Sequence, residues 1–193
     1  MDYNYSLKKD NIDYGFVKGN NKIVFIKSGL GGNYLGYENK YLIMAYQLHD
    51  KYGCSVIVSS NPHDGRSHSS NDKQIIEQYI ADSHIGFPEL FFLGHSNGGI
   101  KGLELANANV EFKKMILVNM PLMINFHKTK RYIFSIPQTK IIAVYGEQDP
   151  SSPYIPFLDG IAKNIKVIKF LRADHNFKGL LKEFIDLSNL LMD

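Results

Sequence analysis

The sequence FFLGHSNGG over residues 91–99 joins an apolar run to a glycine-rich turn with a serine at its centre. The apolar run predicts a buried strand, and residues 100–108 predict a helix directly after the turn. Side chains at Gly94 and Gly98 would collide with neighbouring backbone in so tight a strand-to-helix turn. Ser96 is therefore expected at the exposed tip of the turn, where a helix N-terminus favours developing negative charge. The alternative is a glycine-rich turn that carries an inert serine.

The rest of the chain alternates between predicted strands and predicted helices. Short apolar runs cover residues 22–26, 54–59, 89–93, 114–118, 140–145 and 165–171. Because most of these runs are continuous rather than alternating, they predict an α/β fold with a mostly parallel central sheet and helices on both faces. Apolar residues at helical spacing over residues 177–191 predict a C-terminal helix. Lys166 and Lys169 suit an edge strand, and aromatic residues before Gly19 predict one or two antiparallel strands at the other edge.

The length and composition of the chain limit the kind of protein that it can be. With 44% hydrophobic residues, residues 1–193 suffice for one domain with a sizeable core and are too few for two ordinary ones. The net charge is only +3 and no block of Lys and Arg occurs, which argues against nucleic acid as a partner. Neither a membrane span nor a secretory signal is evident, so a cytoplasmic protein is expected. The single cysteine, Cys54, excludes an intrachain disulfide and is expected to be a small buried residue rather than a nucleophile.

A serine nucleophile needs a base, and the base needs an acid that orients it. In the strand–turn–helix arrangement around Ser96 these residues follow in the order serine, acid, histidine. Asp149 follows one predicted strand, and His175 follows the last one. Because the carboxyl ends of parallel strands share one edge of a sheet, the three residues should converge there. Asp174 is the main rival to Asp149 as the acid, although adjacent residues in a chain rarely face each other well, and Glu147 is a third candidate.

These motifs together resemble those of the α/β-hydrolase family. The resemblance rests on GHSNG at 94–98, GEQD at 146–149, DHNF at 174–177 and SGLGG at 28–32. The SGLGG stretch resembles the family's His-Gly-x-x-Gly loop, with Ser28 where the family often has histidine. The resemblance implies that the N–H groups of Leu30 and Asn97 form an oxyanion hole. It also implies an α/β-hydrolase fold from about Lys22 to the end of the chain.

Two histidines in a predicted loop could suggest a metal site. His63 and His68 flank Asp64 in a stretch that resembles the family's loop after the second long strand, which is mainly structural there. Their spacing matches no recognised zinc pattern, and a third ligand is not evident. Neither a metal nor a cofactor is therefore expected.

Residues 122–138 are the one long interval between predicted strands that a single short helix does not explain. They mix apolar side chains with a basic cluster of His127, Lys128, Lys130 and Arg131. Two interpretations stay open: a minimal cap whose apolar residues line an acyl pocket below a basic mouth, or an ordinary crossover helix packed on the sheet. In either case the chain resembles small family members with little or no cap, including the short serine hydrolases of bacteria.

The resemblance and the candidate triad predict a serine hydrolase that cleaves a small-molecule carboxylic ester, or a thioester, through an acyl-enzyme. His175 would take the Ser96 proton, while the N–H groups of Leu30 and Asn97 hold the oxyanion. Two alternatives use the same fold: a non-catalytic scaffold that binds a ligand or partner, and an acyltransferase with the same triad. The sequence specifies neither the ester nor the oligomeric state.

Overall fold

The computed structural model describes residues 2–63, 69–158 and 160–193. Each predicted apolar run forms a strand, and two further strands precede them, as the aromatic residues before Gly19 predict. The strands are β1 Tyr5–Lys9, β2 Ile12–Val17, β3 Lys22–Lys27, β4 Ser55–Ser59, β5 Glu89–His95, β6 Phe112–Val118, β7 Lys140–Gly146 and β8 Ile165–Phe170.

All the strands belong to one eight-stranded sheet with the order β1-β2-β4-β3-β5-β6-β7-β8. β2 runs antiparallel to both β1 and β4, and the remaining neighbours pair in parallel. The predicted mostly parallel α/β sheet is therefore confirmed. β8 lies at one edge, where the exposed Lys166 and Lys169 discourage pairing with another chain. The parallel strands all end at the same edge of the sheet, so the loops that follow them lie side by side.

Helices connect the strands and cover both faces of the sheet. The α-helices are α1 Lys40–Tyr52, α2 Ser69–Asp82, α3 Asn97–Asn107, α4 Leu122–Ser135, α5 Ile155–Leu158 and α6 Leu181–Asp186, and 3₁₀ turns lie at Tyr37–Asn39, Ser152–Tyr154 and Leu187–Leu191. The prediction of one C-terminal helix over residues 177–191 is wrong at its start. Phe177 and Gly179 have φ angles of 56° and 74°, and this left-handed backbone delays the helix to Leu181.

The core lies in two layers, one on each face of the sheet. Along β3, Ile23 and Phe25 pack into one layer, while Val24 and Ile26 pack into the other. Successive residues of a strand point to opposite faces, so a strand covered on both sides needs an unbroken apolar run. This explains why the parallel strands were recognisable as continuous apolar stretches.

A buried ion pair fixes the end of β3. Lys27 Nζ lies 2.9 Å from an Asp72 carboxylate oxygen, and both side chains are fully buried. The Tyr14 hydroxyl donates to the other Asp72 oxygen at 2.8 Å, and the Ser59 hydroxyl does so at 3.1 Å. A buried charge without such partners would be strongly destabilising. The network therefore holds α2 against the strand from which the loop at residues 28–32 begins.

Candidate active site

The turn between β5 and α3, called here the serine turn (residues 94–98), holds Ser96 in a strained conformation. Ser96 has a φ of 54° and a ψ of −127°, a region that residues other than glycine rarely adopt. A Cβ on Gly94 would lie 2.6 Å from the Gly98 backbone, and a Cβ on Gly98 would lie 2.4 Å from the Lys27 carbonyl oxygen. Both positions therefore need glycine, and the turn carries the Ser96 side chain at the carboxyl edge of the sheet.

The side chains of Ser96, His175 and Asp149 form a continuous chain of hydrogen bonds. His175 Nε2 lies 3.0 Å from Ser96 Oγ, and His175 Nδ1 lies 2.5 Å from Asp149 Oδ2. Because a carboxylate only accepts, Nδ1 carries the proton and Nε2 is left to accept from the serine hydroxyl. Asp149 is 3% exposed, and its second oxygen accepts from the Ser151 N–H at 2.7 Å. The arrangement suits a histidine base that a buried acid orients.

The two rival carboxylates have other partners. Asp174 Oδ1 accepts from the backbone N–H groups of Asn176 and Lys178, at 3.0 and 2.9 Å. Glu147 Oε2 accepts from the backbone N–H of Arg172 at 3.1 Å. Both residues therefore shape the backbone of the loops beside the site, while Asp149 is the carboxylate that meets the imidazole ring.

Two buried polar side chains hold the backbone of His175 in place. His95 Nε2 donates to the His175 carbonyl oxygen at 2.8 Å, and Asn119 Nδ2 donates to the same oxygen at 2.8 Å and to that of Asp174 at 3.1 Å. Asn119 Oδ1 accepts from the Gly146 N–H at the end of β7. Burial lowers the pKa of His95 to about 3, so its ring is neutral and its Nε2 carries a proton to donate.

His95 belongs to the GHSNG motif, whereas no sequence motif includes Asn119. Asn119 directly follows β6, just as Ser96 follows β5. A polar residue at the carboxyl end of a buried parallel strand is thus the signal that could have identified it. Its side chain links the end of β7 to the loop that carries His175.

The predicted oxyanion donors belong to the two segments that meet at Ser96. A Cβ on Gly29 would lie 3.2 Å from the Ser96 Cβ, so the loop at residues 28–32 runs directly against the serine turn. Asn97 is the first residue of α3, where backbone N–H groups have no partner within the helix. Among the described residues, no backbone carbonyl accepts from the Leu30 N–H either. The two N–H groups thus lack a backbone partner within the described part of the chain, and their role as oxyanion donors stays a prediction.

Asn61, just after β4, ties this loop to the serine turn. Its carbonyl oxygen accepts from the Gly31 N–H at 2.6 Å, and its N–H donates to the Gly32 oxygen at 2.9 Å. Its side-chain amide donates to the Ser28 oxygen at 3.1 Å and to Asn97 Oδ1 at 3.2 Å. One buried residue thus contacts both segments that carry the predicted donors.

A cavity of about 390 Å³ opens beside Ser96. It is lined by residues 29–33, by Gly36, Tyr37, Lys40 and Tyr41 near the start of α1, and by His95, Ser96, His175 and Asn176. An adjoining groove of about 910 Å³ shares Tyr37, Lys40 and Asn176 with the cavity. A volume of a few hundred Å³ is at the lower end of the range for small-molecule sites.

Residues 122–138 lie outside this cavity. They form α4 and a short turn, and α4 packs against α3 with Leu122 and Ile133 fully buried. Lys128 Nζ pairs with the Glu104 carboxylate of α3 at 2.8 Å. The described lining of the cavity includes no residue from this segment.

The ring of His63 lies directly against Gly31 in the wall of this cavity. Asp64 and His68, considered above as metal ligands with His63, are outside the described residues. Within residues 2–63, 69–158 and 160–193, no group of three or more His, Cys, Asp or Glu side chains could hold a metal ion. Cys54 is buried next to β4, and burial raises the pKa of its thiol to about 11, which makes it a poor nucleophile. No helix in the described part of the chain is both long and apolar enough to cross a bilayer.

Comparison with known proteins reveals similarity in structure rather than in sequence. No protein-family model matches the chain, and no match was found among curated proteins. Est1E from Butyrivibrio proteoclasticus is similar over 97% of this chain and 96% of its own, with a TM-score of 0.75 and 14% identity. An α/β serine hydrolase homologue from Coxiella burnetii is similar over 97% of both chains, with a TM-score of 0.68 and 18% identity.

A third solved structure is described as a serine hydrolase without a lid, XC6422 from Xanthomonas campestris. It is similar over 93% of this chain and 87% of its own, with a TM-score of 0.66 and 17% identity. All three likenesses extend over most of both chains, which leaves little room for a large cap. The resemblance inferred from the motifs is therefore confirmed: this chain has the α/β-hydrolase fold, in a small form with little cap.

Proposed function

We propose that this protein is a serine hydrolase that cleaves a small carboxylic ester, or a thioester, through an acyl-enzyme. The observation that carries the proposal is the chain of hydrogen bonds from Ser96 Oγ through His175 to the buried Asp149. A serine hydroxyl is a weak nucleophile unless an adjacent base takes its proton. An inert serine in a glycine-rich turn does not account for the hydrogen bond between Ser96 and His175. A non-catalytic scaffold does not account for the hydrogen bond between His175 and the buried Asp149.

The proposed reaction begins when Ser96 Oγ attacks the ester carbonyl carbon as its proton passes to His175 Nε2. The N–H groups of Leu30 and Asn97 then stabilise the tetrahedral oxyanion, each lowering the barrier by about 3–4 kcal/mol. The bond between the carbonyl carbon and the leaving oxygen breaks, and His175 donates its proton to that oxygen. Water next loses a proton to His175 and attacks the acyl-enzyme, which releases the carboxylic acid and regenerates Ser96.

The geometry favours a small substrate. The cavity beside Ser96 has a volume of about 390 Å³, and α4 packs on α3 rather than over this cavity. We therefore interpret residues 122–138 as a crossover helix with its connection, not as a cap. Est1E, which has a similar fold, has been solved with ferulic acid bound, so a hydroxycinnamate ester belongs in the set of test substrates.

Labelling with a fluorophosphonate tests the nucleophile. The probe should modify the protein once, at Ser96, and Ser96→Ala should abolish the label. Labelling that survives this substitution would contradict the assignment. Ser135, which bonds to the Tyr132 carbonyl at the end of α4, gives a matched control, and Ser135→Ala should leave the label unchanged.

Nitrophenyl esters of increasing acyl length test the reaction. Acetate and butyrate esters should be hydrolysed faster than the dodecanoate ester, because the cavity beside Ser96 holds only about 390 Å³; the reverse order would place the acyl chain in the adjoining groove. Free carboxylic acid and nitrophenol should form in equal amounts. A lag of the acid behind nitrophenol when a second alcohol is present would indicate acyl transfer instead. No turnover of any ester by a protein that is also inert to the probe would favour the scaffold.

A further inference from the structure

Lys40 is a buried cation in the wall of the proposed active site. It begins α1, and the residue is only 6% exposed. The cavity that it lines also contains Ser96 and His175, and Lys40 lines the adjoining groove as well. A lysine at the start of a helix is usually solvated, so nothing in the sequence distinguishes Lys40.

No carboxylate in the described part of the chain forms an ion pair with Lys40. Its ammonium group instead lies 4.0 Å from the centre of the Phe184 ring and 5.1 Å from that of Tyr41. Aromatic faces attract a cation but do not replace its lost hydration. Burial accordingly lowers the pKa of Lys40 to about 8, so most molecules still carry the charge at neutral pH.

The contrast with the other buried lysine is informative. Lys27 is fully buried and paired with Asp72, so a carboxylate within the protein balances its charge. Acidic residues do line the groove next to Lys40, namely Glu38, Asp174 and Glu183, yet none of them pairs with it. Lys40 lies in the cavity wall and carries a buried ammonium that no carboxylate of the described residues neutralises, so it is suited to receive an anion from solution.

His95 and the basic cluster on α4 are less suited than Lys40 to bind an anion in the cavity. His95 is buried and neutral, and its one N–H donates to the His175 carbonyl. The basic cluster on α4 lies outside the cavity, with Lys128 paired to Glu104. Among the described residues that line the cavity, Lys40 is the only lysine or arginine.

From these observations we infer that Lys40 binds a carboxylate on the substrate, so that the preferred substrates are small esters carrying a negative charge near the scissile bond. This inference rests on the proposed function, since it names the substrate class for the same site. A bound carboxylate would pair with the ammonium in a setting largely shielded from water, where such a pair is stronger than at an exposed surface. The cation–π contact with the Phe184 ring would keep the ammonium group in position.

Two pairs of esters that differ only in charge test the inference. The first pair is mono(4-nitrophenyl) adipate and its methyl ester, which place the charge on the acyl side. The second is 4-acetoxybenzoate and its methyl ester, which place it on the leaving group. The readout is the ratio of kcat/KM for the anionic ester to kcat/KM for the neutral one. In Lys40→Met this ratio should fall at least tenfold for one of the pairs, and Lys40→Arg should keep it within about threefold of the parent value.

Lys182→Met is the matched control, because Lys182 lines the adjoining groove but is highly exposed and pairs with Asp186. It should leave both ratios unchanged. Equal losses for the anionic and neutral esters in Lys40→Met, or no loss for either, would overturn the inference and leave Lys40 with a packing role. Removing an uncompensated buried charge should also raise Tm by a few degrees, so Lys40→Met should remain folded. Lys40→Gln provides a second uncharged variant should Met disturb the packing.

A separate measurement keeps this inference distinct from the proposed function. If the parent protein hydrolyses none of these esters in a Ser96-dependent manner, the proposed function fails. Calorimetric titration with adipate then tests the anion site alone. Binding to the parent protein and not to Lys40→Met would support the site. Equal binding to both proteins, or binding to neither, would overturn it.

Discussion

Replacing Asp149 with asparagine tests whether Ser96, His175 and Asp149 act as a catalytic triad or merely lie close together. Asp149 Oδ2 accepts from His175 Nδ1 at 2.5 Å, while Oδ1 accepts from the Ser151 N–H at 2.7 Å. An asparagine amide offers only one acceptor oxygen, so it cannot make both bonds. If that oxygen stays on Ser151, the NH₂ group faces His175 and moves the imidazole proton to Nε2. The ring can then no longer accept the proton of Ser96.

The size of the expected effect follows from this change of tautomer. In a serine protease the equivalent exchange lowers kcat by about 10⁴-fold, which corresponds to about 5 kcal/mol in barrier height. We expect a loss of about 10³- to 10⁴-fold in kcat for 4-nitrophenyl butyrate in Asp149→Asn. Asp174→Asn is the matched control. Its Oδ1 accepts from two backbone N–H groups, a role that an amide oxygen can also fill, so its loss should stay below about fivefold.

Circular dichroism and Tm of both variants show whether each is folded before rates are compared. A greater loss in Asp174→Asn than in Asp149→Asn would show that the wrong carboxylate was chosen. A folded Asp149→Asn protein that keeps more than a tenth of the parent kcat would refute the assigned role of the acid. Either result would leave the fold unaffected, since the sheet does not depend on this contact.

Three further predictions concern stability and the α4 segment. Burial lowers the pKa of His95 from 6.5 to about 3, so the unfolded chain binds more protons than the folded one between these values, and stability falls as the pH drops below 6.5. In the parent, His95 lowers the free energy of unfolding by about 1.4 kcal/mol for each pH unit below 6.5, and His95→Gln removes this contribution. Between pH 6.5 and pH 5, urea unfolding should therefore show a loss of free energy of unfolding that is about 2 kcal/mol smaller in the variant than in the parent. Asn119→Ala leaves the Gly146 N–H and the Asp174 carbonyl unpaired, which should lower the free energy of unfolding by about 2–5 kcal/mol and reduce kcat more than it changes KM; an unchanged urea midpoint would contradict this. Lys128→Glu combined with Lys130→Glu should change KM equally for anionic and neutral esters, because α4 packs outside the cavity; an increase confined to the anionic ester would restore the cap interpretation.

The strands and the three triad candidates were predictable from the sequence for one physical reason. Strands covered on both faces need unbroken apolar runs, and these runs are visible in the sequence. Once the strands are known to be parallel, residues that follow them must meet at one edge. Ser96, Asp149 and His175 each follow a strand, so their hydrogen bonds join residues up to 79 positions apart.

Other features depend on contacts that local patterns do not encode. The apolar stripe from residue 177 has helical spacing, yet Phe177 and Gly179 adopt left-handed backbone, and the same side chains reach the core by a turn instead. Asn119 resembles any polar residue after a strand until its partners at Gly146 and His175 are known. The burial of Lys40 results from the rings of Tyr41 and Phe184, and the second of these lies far along the chain.

Residues at the carboxyl edge of the sheet have locally unfavourable features, namely left-handed backbone and a buried charge. Ser96 and Asn119 are non-glycine residues with φ angles of 54° and 48°, each at a cost of about 1–3 kcal/mol. Dense packing and hydrogen bonds around them explain how these two positions persist. Lys40 is different, because among the described residues no carboxylate offsets its desolvated charge. A local cost that the protein itself does not offset indicates a partner outside the chain, and the position of Lys40 beside Ser96 makes an anionic substrate the simplest such partner.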